Sequence, residues 1–247
     1  MADYNPRVVA SPTAVGVIDA GLRAYMLRVY NYMLVALSLT GAVAWATATT
    51  SFGSLFFRPV VVAGHIAPAI SGLGLVAIFA PLALVFFLAY RLNRMSLGAA
   101  QLTFWGYAAL VGISLGIIVF AYTGQSVAQV FFITAAAFGG LSLWGYTTKR
   151  DLSGFGSFLI MGVWGLLIAM VVNWFLKSPM IMWVVSIAGV GIFAGLTAYD
   201  TQKIKEMYVV GDDGTVMGRK AIFGALSLYI DFVNMFQFLL YLIGNRR

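Results

Sequence analysis

The sequence predicts an all-α membrane protein of seven transmembrane helices, on three observations. Hydrophobic residues make up 62% of the 247-residue chain and charged residues only 9%, where soluble domains run to about 45–50% and about 25%. The apolar residues gather into seven runs, each near the ~20 residues a helix needs to cross a bilayer. Most of the charges fall between the runs, with turn-forming residues such as Gly124, Pro179 and Gly211 beside them. The runs are continuously apolar rather than alternating, so helices are expected and not a barrel.

Residues 1–27, with Pro6, Pro12, Gly16 and Gly21, read as a polar tail, and residues 28–247 as the transmembrane domain. The first span is Arg28–Thr49. Ala44-Trp-Ala46 imitates a signal-peptidase site, but the long front region and six later spans make this span a retained anchor. The second, Gly72–Tyr90, is interrupted by Pro81, a kink or a hinge. Before it lies His65, a lone histidine in the outer loop without the partners a metal site needs. The remaining spans are Gln101–Ala121, Val127–Tyr146, Gly156–Leu176, Met180–Tyr199 and Ala221–Ile243. Asn173 falls at the interfacial end of the fifth. Gly112/Gly116 and Gly191/Gly195 carry GxxxG spacing, which permits close helix packing.

A sequence pI near 9.7 suggests a nucleic-acid binder until the cations are placed between the spans. One side of the membrane receives Arg7, Arg23, Arg28, Arg91, Arg94, Lys149, Arg150, Lys203, Lys205, Arg219 and Lys220; the other receives Arg58, Lys177, Arg246 and Arg247. The positive-inside rule puts the first group, and the N-terminus, in the cytoplasm. Moving the last two arginines to that side strengthens the bias, so charge alone leaves open whether the seventh segment crosses fully. The absence of cysteine excludes disulfides, thiolate catalysis and Cys-ligated metals.

Function is sought where composition is violated. Asp3, Asp19, Asp151, Glu206, Asp212 and Asp213 belong to the tail and loops, where charges are ordinarily solvated. Asp231 lies near the middle of the seventh span, where a charge costs roughly 2.5–3.5 kcal/mol on insertion scales and marks an ion or proton pathway. Asp200 ends the sixth span, with Thr197 one turn earlier on the same face. Ser227, Asp231, Asn234 and Tyr241 recur at helical spacing, a polar stripe expected to face the bundle interior with Gln237 beside it. Two carboxylates in one low-dielectric site cannot both ionise cheaply and hold a proton between them. Losing it would drive the helices apart and could admit a cation, with Asp200 and Asp231 as transient ligands. The bland alternative leaves Asp231 bonded to its neighbours as packing glue and Asp200 as an interfacial acid before Lys203 and Lys205. Register is the obstacle: counted from Ala221, Asp231 lies ~15 Å deep at 1.5 Å per residue, while Asp200 sits at the surface. Pairing requires the sixth span to run deeper or the seventh to start later.

Ala198-Tyr-Asp-Thr-Gln-Lys-Ile204 and Ser227-Leu-Tyr-Ile-Asp-Phe-Val-Asn-Met-Phe236 resemble the two signature segments of the Bax inhibitor-1 (transmembrane Bax inhibitor motif) family, bacterial type. Seven spans, the short tail and the length agree. The resemblance implies a bundle with the last helix central and a pH-sensitive calcium leak whose closed state is held by the pair mapping to Asp200 and Asp231. It implies no cofactor, calcium being the transported ion. An arginine at the end of the second helix acts on the acidic pair in some members, and Arg91 is the candidate, with Arg94 second. Some members also carry a glutamate within that helix; here Val76-Ala-Ile-Phe-Ala-Pro-Leu-Ala83 has no acid, which leaves fewer oxygens for a divalent ion. Bacterial-type members are linked to a membrane-anchored AAA protease. A non-transporting regulator of such a protease, or of cell-stress responses, is therefore the alternative function.

An enzyme is the third reading and is not expected. Tyr199-Asp200 and Asp231 superficially match an intramembrane aspartyl protease, yet Asp231 follows Leu228-Tyr-Ile and no Pro-Ala-Leu occurs. The last span lacks the Schiff-base lysine of a retinal protein. A bacterial plasma (inner) membrane is the expected location, with the endoplasmic reticulum as the alternative.

Overall fold

The computed structural model describes the backbone of residues 12–62 and 65–246. It contains seven long helices: α1 Pro12–Thr49, α2 Gly72–Arg91, α3 Leu97–Ala121, α4 Gly124–Thr147, α5 Ser153–Leu176, α6 Pro179–Glu206 and α7 Gly214–Ile243. Each is long and apolar enough to cross a membrane. A hairpin of strands β1 Phe57–Val62 and β2 His65–Ile70 joins α1 to α2, with Pro59 opposite Pro68 and Val62 opposite His65. His65, expected in a loop, thus opens a strand.

The helices start where the sequence supplies caps. Ser71, Ser96, Thr123 and Ser178 accept from the backbone N–H groups of Gly74, Ala99, Ser126 and Ile181, and Asp213 accepts from Thr215 and Val216. Each satisfies N–H groups that the first helical turn leaves orphaned. Pro179 occupies the first turn of α6, where its missing N–H costs nothing. At the end of α5, Lys177 takes a left-handed conformation (φ 49°) and the Asn173 side chain accepts from the Ser178 N–H at 2.9 Å. Asn173 is therefore a turn-forming residue.

Two ends differ from expectation. Residues 12–27 of the expected tail continue α1 as helix, while residues 1–11, including Asp3 and Arg7, lie outside the described residues. The helix of the sixth span runs on past Tyr199 to Glu206. Its last turns hold Lys203, Lys205 and Glu206, which lower the local hydropathy without weakening the helix. Lys205 lies back over the Tyr146 ring and donates to the Tyr146 carbonyl at 2.8 Å, covering apolar surface with its stem.

Helix α7 packs against α1, α3, α4 and α6. Buried residues make up 56% of its most apolar window, against 17–33% for the other six spans. Close approach between helices of the bundle relies on glycine. A side chain at Gly112 or Gly116 of α3 would strike Thr40, Val43 or Thr47 of α1, one at Gly145 of α4 would strike the backbone of Ala198, and one at Gly189 of α6 would strike Phe238. The first GxxxG pair therefore packs within the bundle. Of the second, Gly195 meets α5 and Gly191 has open space before it.

Pro81 removes the N–H that would bond the Ala77 carbonyl inside α2. The Ser114 hydroxyl of α3 donates to that carbonyl at 2.8 Å. The proline therefore becomes a bond between helices, as membrane-embedded backbone requires.

Candidate functional site

The acids meet because α6 and α7 run antiparallel with Gly224 set against Ile204 and Gly189 against Phe238. In that register Asp231 lies level with Thr197 and Asp200 level with Leu228, so the acids are about one turn apart, ~4.5 Å of rise. The register obstacle is removed by the extra turns of α6, which carry Asp200 inward from the helix end. The two carboxyl groups are near enough for their charges to interact.

Asp231 is 3% exposed, and its Oδ2 has no hydrogen-bond partner. Leu228, Tyr229 and Phe232 around it are buried as well. A buried carboxylate oxygen without a partner costs far more than an ordinary polar group, and native structures seldom retain one without a function. Asp200 is only partly buried. The cation that acts on it is Lys203, one turn along α6, whose ammonium lies 5.7 Å from the centre of the Tyr199 ring. The spacing of three residues made this visible in the sequence, where Lys203 had only a bystander's place. Arg91 stands exposed in the last turn of α2, and no ion pair joins it to either aspartate; Lys220–Asp212 is the ion pair found among the described residues.

The polar stripe separates. Thr197 is fully buried and returns its hydroxyl to the Phe193 carbonyl at 2.8 Å. Ser227 is half-buried. Asn234 donates to the Ile230 carbonyl at 2.8 Å. With Gln237, Tyr107, Ser114 and Pro81 it lines a cavity of about 360 Å³ between α2, α3 and α7. On α7 that cavity is bounded by Ile230, Val233, Asn234 and Gln237, so it starts at the residue beside Asp231 and extends along the helix away from the level of Asp200.

Two hydroxyl chains brace the site. Thr40 donates to the Ala108 carbonyl at 2.8 Å. Its single hydrogen is then committed, so Tyr229 is the donor in the 2.6 Å contact between the two hydroxyls, and α7, α1 and α3 are joined. By the same count Tyr30 donates to Ser142 at 2.7 Å, Ser142 to Thr201 at 2.9 Å and Thr201 to the Thr197 carbonyl at 2.7 Å, joining α1, α4 and α6. Gln202, 6% exposed, accepts from the Leu152 N–H and donates to the Arg150 carbonyl, holding the α4–α5 loop beside Asp200. Sequence reading missed these bracing residues because a hydroxyl in an apolar helix gives no sign of its distant partner.

The loop acids are structural where described. Asp213 caps α7, Asp212 pairs with Lys220, and the exposed Asp151 accepts from the Ser153 N–H, which holds its carboxyl below the usual range. Among the described residues no group of three or more His, Cys, Asp or Glu gathers at one place. A cation at the acidic pair would meet two carboxylates and otherwise neutral oxygens.

The family model described as inhibitor of apoptosis-promoting Bax1 matches residues 22–247. An uncharacterised protein of Caulobacter vibrioides is 46% identical over the whole of both chains. The inner membrane protein YbhL of Escherichia coli is 44% identical over 92% of this chain and 94% of its own, and RP147 of Rickettsia prowazekii 42% over the whole of both.

Proposed function

The chain belongs to the Bax inhibitor-1 family and is an integral multi-pass membrane protein, and on that premise we propose that it is a pH-sensitive cation leak, with calcium as cargo, gated by Asp200 and Asp231. The observation that carries this reading is the unpartnered Oδ2 of the buried Asp231, on a helix packed against the one that carries a second acid about one turn away. A proton shared between the two acids satisfies that oxygen and lets α6 and α7 stay in contact. Removal of the proton sets two negative charges in a poorly solvated site, and their repulsion falls on the glycine contacts at Gly189 and Gly224. The helices part, and the same two carboxylates become ligands for the entering ion. The cavity lined by Asn234, Gln237 and Tyr107 supplies an approach to Asp231 from the opposite end. With only two acids the site holds calcium weakly, as passage requires; tight sites use six to eight oxygens.

In this reading the N-terminus and the Lys- and Arg-rich end lie in the cytoplasm of a bacterial cell, Arg91 adds positive potential near the gate, and no bond of the cargo is made or broken, so the protein is not an enzyme. Calcium flux into proteoliposomes, scanned from acid to alkaline pH, tests it. Wild-type flux should rise with pH, and Asp231→Asn, which cannot lose a proton, should flatten the curve. Vesicles that stay tight at every pH, with the protein folded and inserted, would exclude the leak and leave the regulator of a membrane-anchored protease as the family-based reading.

A further inference from the structure

Helices α1 and α4 both lie on α7, yet they scarcely touch each other. Between them runs an apolar groove with α7 as its floor. Its two parts have volumes of about 740 and 670 Å³ and share Leu34, Leu37, Phe131 and Phe232. The groove is polarised. The part toward the Lys- and Arg-rich end is lined by Arg23 and Tyr146 at its mouth and by Tyr30 and Ser142 deeper in. The other part has no charged residue in its lining. Tyr146 carries Lys205 over its ring, so a second cation stands behind the mouth.

We propose that this groove is a binding site for an anionic phospholipid of the leaflet that meets the Lys- and Arg-rich end, its phosphate at Arg23 and an acyl chain laid over Phe131 and Phe232. Length agrees: from Arg23 to Leu37 α1 rises ~21 Å at 1.5 Å per residue, enough for a headgroup and one half of a ~30 Å hydrocarbon core. Charge agrees, because Arg23 is exposed and basic pockets between helices favour anionic headgroups. The Tyr30 and Ser142 hydroxyls in the groove are bonded to each other and on to Thr201, so these two offer an acyl chain no unsatisfied group. Zwitterionic lipid offers the same phosphate but offsets it with a cation of its own, which weakens the contact with Arg23, and a second protein helix would leave the polarity of the groove without a purpose. The inference does not depend on the leak.

Two variants isolate the features. At Gly139, which lines the groove, an added Cβ meets nothing within 4 Å, so Gly139→Phe starts its side chain in open space at the groove, and the unfolding temperature checks that the ring is accommodated. Arg23→Gln removes the cation and leaves the groove open. Purified protein in detergent is titrated with phosphatidylglycerol or phosphatidylcholine, and bound lipid is counted by native mass spectrometry, with thermal unfolding as the folding control. The wild type should retain one phosphatidylglycerol in preference to phosphatidylcholine. Arg23→Gln should weaken that retention about fivefold, the worth of one basic residue at an anionic surface. Gly139→Phe should abolish it at an unchanged unfolding temperature. Equal retention of both lipids, or phosphatidylglycerol binding unaffected in both variants, overturns the proposal. A dimer without bound lipid that Gly139→Phe dissociates overturns it too, making the groove an interface between copies.

Discussion

Helix α7 and helix α2 solve opposite problems. Buried residues fill 56% of the apolar window of α7 but 17% of that of α2. Yet α2 has the higher mean hydropathy; it and α5, the two least buried spans, are the two most hydropathic. In water the most apolar helix would be the innermost. In a bilayer lipid is as good a solvent for leucine as protein is, so the least buried helices are the most apolar and the most buried one can carry Ser227, Asp231 and Asn234. Helix α7 is held instead by glycine contacts and shared hydroxyls, which only a protein neighbour can supply. The middle of this molecule should therefore be sensitive to shape and polar pairing, and its rim tolerant.

The sharpest break of that contrast is at glycine. A Cβ on Gly145 would fall on the backbone of Ala198, whereas one on Gly165 of α5 meets nothing within 4 Å. Gly145→Leu should cost more than the ~1–3 kcal/mol typical of overpacking, because backbone cannot rotate away, and should leave little folded protein after solubilisation. Gly165→Leu should melt at or above the wild-type temperature, since replacing a helix-interior glycine gains ~0.5–1 kcal/mol. Thermal unfolding in detergent, read by size-exclusion recovery, compares them. If Gly165→Leu failed as badly, the rim would not be tolerant.

Next in size is the Thr40–Tyr229 bond. Thr40→Val leaves a fully buried tyrosine hydroxyl with no acceptor, a cost of ~1–3 kcal/mol. Tyr229→Phe leaves Thr40 still bonded to the Ala108 carbonyl and should cost ~1 kcal/mol. Thr40→Val should thus be the worse variant, and the pair together should cost less than the sum of the two. Additive losses would mean that the hydroxyls act separately.

A smaller effect sharpens the view from the rim. Ser114→Ala should cost ~1 kcal/mol, because the Ala77 carbonyl freed by Pro81 then has no donor. In a Pro81→Ala background the substituted residue supplies its own N–H, and Ser114→Ala should become neutral. Unfolding midpoints of the four proteins in the cycle decide this, and a loss that persists in the Pro81→Ala background would assign the hydroxyl another role.

This division explains what the sequence could show. All seven spans were legible because lipid exposure leaves long apolar runs. Their ends were not: Lys203, Lys205 and Glu206 made the last turns of α6 read as a loop, and Arg219 and Lys220 hid the start of α7. The hairpin at Phe57–Ile70 is not legible in the sequence, because prolines at 59 and 68 lower strand propensity there, although proline is tolerated in a two-stranded ribbon where its N–H would face away from the partner. Asp200 and Asp231 were legible as anomalies. Their pairing was expected only from the family resemblance, because it depends on the register of α6 against α7, marked by the contacts at Gly189 and Gly224, and glycines do not announce their partners.

The finest test concerns the two cations. The family resemblance implies that Arg91 would tune the acidic pair, while in the structure Lys203 lies one turn from Asp200 on the same helix and Arg91 is exposed. Removing a cation beside the pair makes loss of the shared proton harder, so under the proposed mechanism the midpoint of the flux curve should move to higher pH. A screened surface charge is worth ~0.2–1 kcal/mol, and one pH unit corresponds to ~1.4 kcal/mol, so each shift should stay below about one unit. Lys203→Ala should give the larger shift if the closed arrangement described here sets the midpoint. Arg91→Ala should give the larger one if the end of α2 swings toward α7 as the gate opens, which the short turn at Leu92–Arg94, already in contact with α7, would permit. Equal and negligible shifts in both would remove the cations from the gate and leave the carboxyl pair as the whole of the sensor.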